Sequence, residues 1–196
     1  MDLKEFLLEN RVSILDKWVN FIFDTYPADT ASFLRRQKDE FANPVGSNVR
    51  AGLEEILDHL ITAMPAVNAT RNTVNWEQFH APLDRIIRVR AIQSFTPSQA
   101  IAFILGLKPI VRTKLGQDVV DHTVAGQLTI LEALIDDLLF MAFDIYCACR
   151  DTLADIRIKD EHRRLHLLLK RAKLICTEEE NGPVLPDFRE DGVETH

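Results

Sequence analysis

The stretch Val124–Ile156, VAGQLTILEALIDDLLFMAFDIYCACRDTLADI, decides the fold. Within it Val124, Leu128, Leu131, Ile135, Leu138, Ala142, Ile145, Cys149, Thr152 and Ile156 recur at alternating intervals of four and three. That is the period of a helix burying one face. Phe140, Phe143 and Cys147 add apolar groups on another face, and a helix apolar nearly all round is expected at the centre of a domain. Past Ile156 a second frame, Ile158, His162, Leu165, Leu169, Ala172 and Cys176, takes over two residues out of step. No Gly or Pro intervenes, so the spacing predicts one continuous helix from about 125 to 175, roughly 75 Å long at 1.5 Å per residue. A compact body of this size spans only about 40 Å. The second half is therefore expected to project, dock on a partner, or bend near Ile156–Asp160.

Working outward, the rest of the chain is helical in pattern too. Leu8, Val12, Leu15, Val19, Ile22 and Tyr26 read as one buried stripe on an opening helix that Pro27 stops. Asp29 and Thr30 offer capping oxygens for a short helix through Phe33 and Leu34. Asn43-Pro44 marks the next start, with proline at the first helical position, and Val45, Val49, Leu53, Ile56, Leu60 and Met64 continue it to Pro65. Residues 65–74 lack periodicity and read as a loop. Trp76, Phe79, Leu83 and Ile86 or Ile87 restart a stripe, with Pro82 expected to kink or delay it. Thr96-Pro97-Ser98-Gln99 is a capping-box start, followed by Ile101, Ile104, Val111 and Leu115, with a kink expected at Pro109.

Composition agrees with an all-α class. Of 196 residues, 46% are hydrophobic, and there are 7 glycines and 8 prolines, too few turn residues for a sandwich or barrel. The most apolar run, Ile130–Cys149, is interrupted by Glu132, Asp136, Asp137 and Asp144, which argues against a membrane span. The N-terminus has no signal-peptide pattern, and three cysteines fit reduced thiols in the cytoplasm. The net charge of −7 disfavours nucleic acid as a partner. That charge is unevenly placed: residues 157–173 carry a net +5 and residues 177–196 a net −6. The expected organisation is a helical body over 1–156, a basic outgoing helix over 157–176 and an acidic disordered tail over 177–196. The tail is a candidate screen for the basic helix.

Few residues offer chemistry. His162 and His166 share a helix face, but HRRLH lacks a zinc-protease glutamate and its arginines repel a cation, so no metal site is expected. Cys147 and Cys149 are two apart and point to different sides of a helix. His59, His80 and His122 are the histidines that a globin-like body would offer to haem, with His80, beside Phe79, the foremost. Asp136 and Asp137 diverge by about 100° on a helix. No catalytic motif is present, so no enzyme activity and no obligatory cofactor is expected. Arg85, Arg88 and Arg90, with Arg163, Arg164, Lys170 and Arg171, are the candidate anion- or partner-binding residues.

Five segments in order resemble a known family: FLRRQK at 33–38, FANPVG at 41–46, LDRIIRVRAIQ at 83–93, FTPSQA at 95–100, and MAFDIY at 141–146 with Cys149-Arg150. Over about residues 10–160 they resemble the RsbRD-type N-terminal domain of stressosome proteins of the RsbR group, co-antagonists of the kinase RsbT. The resemblance implies a globin-like helical bundle without haem, usually dimeric, acting as a sensory or signalling module. In that group the last helix leads into a STAS domain; here a short acidic stretch follows Cys176. The expected protein is a non-catalytic regulatory module that works through protein–protein contact, as a homodimer, with the projecting helix as its output. A haem- or small-ligand-binding globin-like sensor is the alternative.

Overall fold

In a computed structural model of the chain, the structure describes residues 2–37, 39–64, 74–93, 95–116 and 122–172. Among these it is all helical: α1 (Leu3–Glu9), α2 (Arg11–Phe23), α3 (Ala28–Arg36), α4 (Pro44–Ala63), α5 (Glu77–Ile92), α6 (Pro97–Leu115) and α7 (His122–Arg171). The expected loop at 65–74 lies, but for Val74, outside the described residues, as does the acidic segment 177–196 with Cys176. Two units are distinguished, Met1–Leu153 and the segment beginning at Ala154.

Local chemistry explains the helix starts. The Asn43 side chain accepts from the Gly46 N–H at 2.8 Å, with Pro44 at the first position. Gln99 N–H donates to Thr96 Oγ1 while Gln99 Oε1 accepts from Thr96 N–H, a complete capping box. Neither α5 nor α6 is interrupted at its internal proline, Pro82 or Pro109.

Two start readings are corrected. The opening stripe is not one helix: α1 ends and α2 begins at Asn10, whose side-chain amide bonds the Phe6 carbonyl at 2.9 Å. Such a local bond competes with helix continuation. As a result α1 buries Leu3, Phe6 and Leu7, and Leu8 on α1 and Val12 on α2 are exposed. Before α3, the cap position is Pro27, without a side-chain bond, and Asp29 lies inside the first turn.

The core of the first unit joins all its helices. Trp18 on α2, fully buried, donates its indole N–H to the Phe103 carbonyl on α6 at 2.7 Å. The α4 stripe Val49, Leu53, Ile56 and Leu60 is buried, as is Phe79, Leu83, Ile86 and Ile87 on α5. Gly52 permits close approach of these two helices: a Cβ there would stand 2.9 Å from Ile86 Cδ1 and 3.0 Å from the Pro82 carbonyl. The buried Gln127 of α7 accepts from Leu3 N–H at 2.9 Å and donates to Asp2 at 2.6 Å, tying down α1.

On α7 the stripe from Val124 through Ile145 is buried. It thins to a half-buried Cys149 and an exposed Thr152. The expectation that α7 is enclosed on all sides is corrected. Phe140 is 68% exposed and Phe143 45%, because the neighbouring helices cover only one face. In the second unit Ile156, Ile158, Leu165, Leu167 and Leu168 are all exposed.

Candidate functional site

The most unusual chemistry lies at the turn between α5 and α6. Leu83, Ile86, Ile87 and Arg90 follow each other on the buried side of α5, so the helical period that inserts leucine and isoleucine also inserts an arginine. Arg90 is fully buried. Of the three candidate arginines on α5 it is the one drawn into the interior. Its Nη2 donates to Thr25 Oγ1 at 3.0 Å and to the Gln99 carbonyl at 2.9 Å, linking α5 to the end of α2 and the first turn of α6. The guanidinium carbon lies 4.1 Å from the Phe95 ring centroid and 5.5 Å from that of Tyr26, in cation–π range. The two rings pack edge-on, 5.3 Å apart. Arg90 Nε and Nη1 have no hydrogen-bond acceptor in good geometry among the described residues, with the Tyr26 phenol the polar group beside the guanidinium. Burial lowers the Arg90 pKa from its usual value and raises that of Tyr26.

This corner grips α7. Tyr146 donates its hydroxyl to the Phe95 carbonyl at 2.7 Å, and Arg150 reaches the Ala91 carbonyl at 3.5 Å. Tyr26 donates to Gln93 Oε1 at 3.0 Å. One residue of separation therefore lies between the buried cation and the long helix: the Phe95 ring faces Arg90 and its carbonyl holds Tyr146. Sequence reasoning places Tyr26 in a buried stripe and Phe95 and Tyr146 in the family-resembling segments, without giving any of them a place in a site. The only local signal for them is that Arg90 continues an apolar stripe.

The other candidate residues are dispersed. Arg85 pairs with Glu55 at 2.7 Å, and Arg88 with Asp84 one turn away at 2.9 Å, which raises the Arg88 pKa. Arg163, Arg164, Lys170 and Arg171 are exposed, Arg164 standing 3.6 Å from Glu161. His80 is exposed on α5. His59 packs its ring edge-on to Phe79 at 5.4 Å, and His122 is exposed at the start of α7. Asp136 pairs with Lys108 at 2.6 Å. Cys147 and Cys149 are half-buried free thiols, and burial raises that of Cys149. Among the described residues no three metal-ligating side chains converge, and no helix is long and apolar enough to cross a membrane.

A groove of about 630 Å³ opens elsewhere, between α2, α3 and α4. Its polar lining includes Asp16, Asn20, Gln37, Ser47 and Arg50. Arg50 is paired with Asp16 at 2.6 Å, and Arg35 with Asp24. Its chemistry is that of a solvated cleft, and it includes neither Arg90 nor His80.

No curated protein and no solved structure matches the chain. The model of the RsbT co-antagonist protein rsbRD N-terminal domain matches residues 12–159. That span takes in α2 through α6, the Arg90 corner and α7 past Tyr146. An all-helical body covered over most of its length by this match belongs to the family of RsbT co-antagonist rsbRD N-terminal domains, a stressosome-type regulatory signalling domain.

Proposed function

We propose that this protein is a non-catalytic regulatory module of the cytoplasm that works by protein–protein contact, with the helices of its body arranged as in a globin. It forms a homodimer through the outer face of α6 and α7, and passes a signal from the α5–α6 corner along α7. The observation that carries this reading is α7 itself. One uninterrupted helix is held at Tyr146 by the corner and continues through residues whose basic side chains are all exposed.

The dimer face is supported by side chains left uncovered. Phe140 and Phe143 are one turn apart, and Leu105 on α6 is 41% exposed. The ion pairs Lys108–Asp136 and Arg112–Glu132 set α6 antiparallel to α7, which brings Leu105 level with Phe140. Two of the charged pairs beside this apolar face, Lys108–Asp136 and Arg112–Glu132, are thus neutralised within the chain, while Asp144, one turn past Phe140, stands exposed. The basic side chains Arg163, Arg164, Lys170 and Arg171 are the surface offered to a further protein partner, with the chain's own acidic segment 177–196 as competitor.

Sedimentation of the full chain tests the dimer. A species of twice 22.4 kDa is expected at micromolar concentration. Phe140→Asp with Phe143→Asp is expected to halve that mass with the helical circular dichroism unchanged. A wild-type monomer up to millimolar concentration sinks the reading.

A further inference from the structure

From Ala154 onward α7 presents an amphipathic face. Ala154, Ile158, Leu165, Leu168, Leu169 and Ala172 fall within about 60° either side of Leu165, at 100° per residue. Ile158 is 53% exposed, Leu165 55% and Leu168 61%. Arg157, Arg164 and Arg171 recur at intervals of seven and form a row along one border of this stripe. Among the described residues, the arginines and lysines of 154–172 have one acidic neighbour in ion-pair range, Glu161 at 3.6 Å from Arg164. Arginines of the first unit differ: Arg11, Arg85, Arg88 and Arg112 each hold a carboxylate at 2.9 Å or less.

The segment 177–196 carries the complementary pattern. Its acids give a net charge of −6 and interleave with Val184, Leu185, Phe188 and Val193. Asn181-Gly182-Pro183, a turn-forming sequence, separates most of it from the helix. The residues after Pro183 can reach about 43 Å when extended. The helix from Ala154 to Arg171 is about 27 Å long, so the segment can return along all of the face that precedes it.

We propose that residues 177–196 fold back onto this face of their own chain, with carboxylates on the Arg157–Arg164–Arg171 row and Phe188 and its apolar neighbours on the Ile158–Leu165–Leu168 stripe. Tethering gives the segment an effective concentration of about 1 mM, so a contact with a dissociation constant of only about 0.1 mM keeps the face covered for about nine-tenths of the time. The inference rests on the reading of the basic helix as a partner surface and sharpens it. The partner that this face admits carries an acidic segment interleaved with apolar residues, and binds by displacing 177–196.

The test is limited chymotrypsin digestion of the full chain at low salt, with cleavage after Phe188 followed by mass spectrometry. A segment held on the helix is shielded, so wild-type cleavage is expected to be about tenfold slower than in the chain with Arg157→Gln, Arg164→Gln and Arg171→Gln. The three arginines are exposed, and unchanged helical circular dichroism confirms that the variant folds. The ratio of the two rates is expected to fall toward one in about 1 M salt, where the Debye length is about 3 Å. Equal rates at low salt overturn the proposal. If the arginine variant then also loses the mass of a dimer, a second copy covers the face. If instead the wild type binds vesicles of phosphatidylserine and phosphatidylcholine and the variant does not, a membrane covers it. Cleavage at Phe188 is read within one chain, so its failure is distinct from a failure of the dimer.

Discussion

Tyr146 on α7 donates its hydroxyl to the backbone carbonyl of Phe95, 51 residues earlier in the chain, across 2.7 Å. Tyr146 is itself buried, and the bond joins the long helix to the turn that carries the aromatic contact of Arg90. Removing the hydroxyl leaves a part-buried carbonyl short of a donor, which costs about 1 kcal/mol. Tyr146→Phe is therefore expected to lower the denaturant midpoint by that amount without changing the slope of unfolding.

The approach of α4 to α5 leaves no room for a methyl group at Gly52. The obstacles are the fully buried Ile86 side chain and the Pro82 backbone. Gly106 on α6 is also crowded, but by the ring of Phe21, which is 37% exposed and free to swing outward. Overpacking typically costs about 1–3 kcal/mol. Gly52→Ala is expected near the upper end of that range and Gly106→Ala near or below the lower end, measured by chemical denaturation.

Tyr26 gives the fold a dependence on alkaline pH. Burial, partly opposed by Arg90, raises its phenol above the usual 10.0. A group whose folded pKa is raised contributes stability that is complete below the unfolded value and is lost as pH rises through the folded one. Wild-type protein is therefore expected to lose stability above about pH 10 more steeply than Tyr26→Phe. Denaturation series at pH 9, 10 and 11 check this, and parallel slopes for the two proteins would count against it.

The N-terminal helix depends on a side chain more than a hundred residues away. Gln127 satisfies Leu3 N–H and orients Asp2, which accepts from Lys4 N–H. Gln127→Leu keeps the volume and removes both bonds, leaving a buried backbone donor unpaired. Amide exchange over residues 3–9 is expected to accelerate at least tenfold, with exchange in α4 unchanged.

What was legible in the sequence followed how local its cause is. The starts at Asn43 and Thr96 depend on atoms within three residues, and both hold as read. The buried stripes of α4, α5 and α7 repeat often enough to name most of the core. The break at Asn10 was hidden because Leu8 and Val12 keep the helical interval across it, and only the tertiary demand of Leu3 and Phe6 reorients α1. The exposure of Phe140 and Phe143 was hidden for a related reason: periodicity names a helix's apolar faces, not what covers each one. The burial of Arg90 follows from its interval from Leu83 and Ile87, which sets it on the inner face despite its charge. The convergence of Tyr26, Phe95 and Tyr146 on that corner joins segments up to 120 residues apart, and no local pattern announces it.

The central claim is that the α5–α6 corner governs the outgoing part of α7. Amide hydrogen exchange over residues 154–171, compared between the full-length wild-type chain and Tyr146→Phe, tests it most directly. The account predicts exchange several-fold faster there in Tyr146→Phe, with α2 and α4 unaltered. Identical exchange over 154–171 in the two proteins, at a measurable loss of the Tyr146 bond, would contradict it.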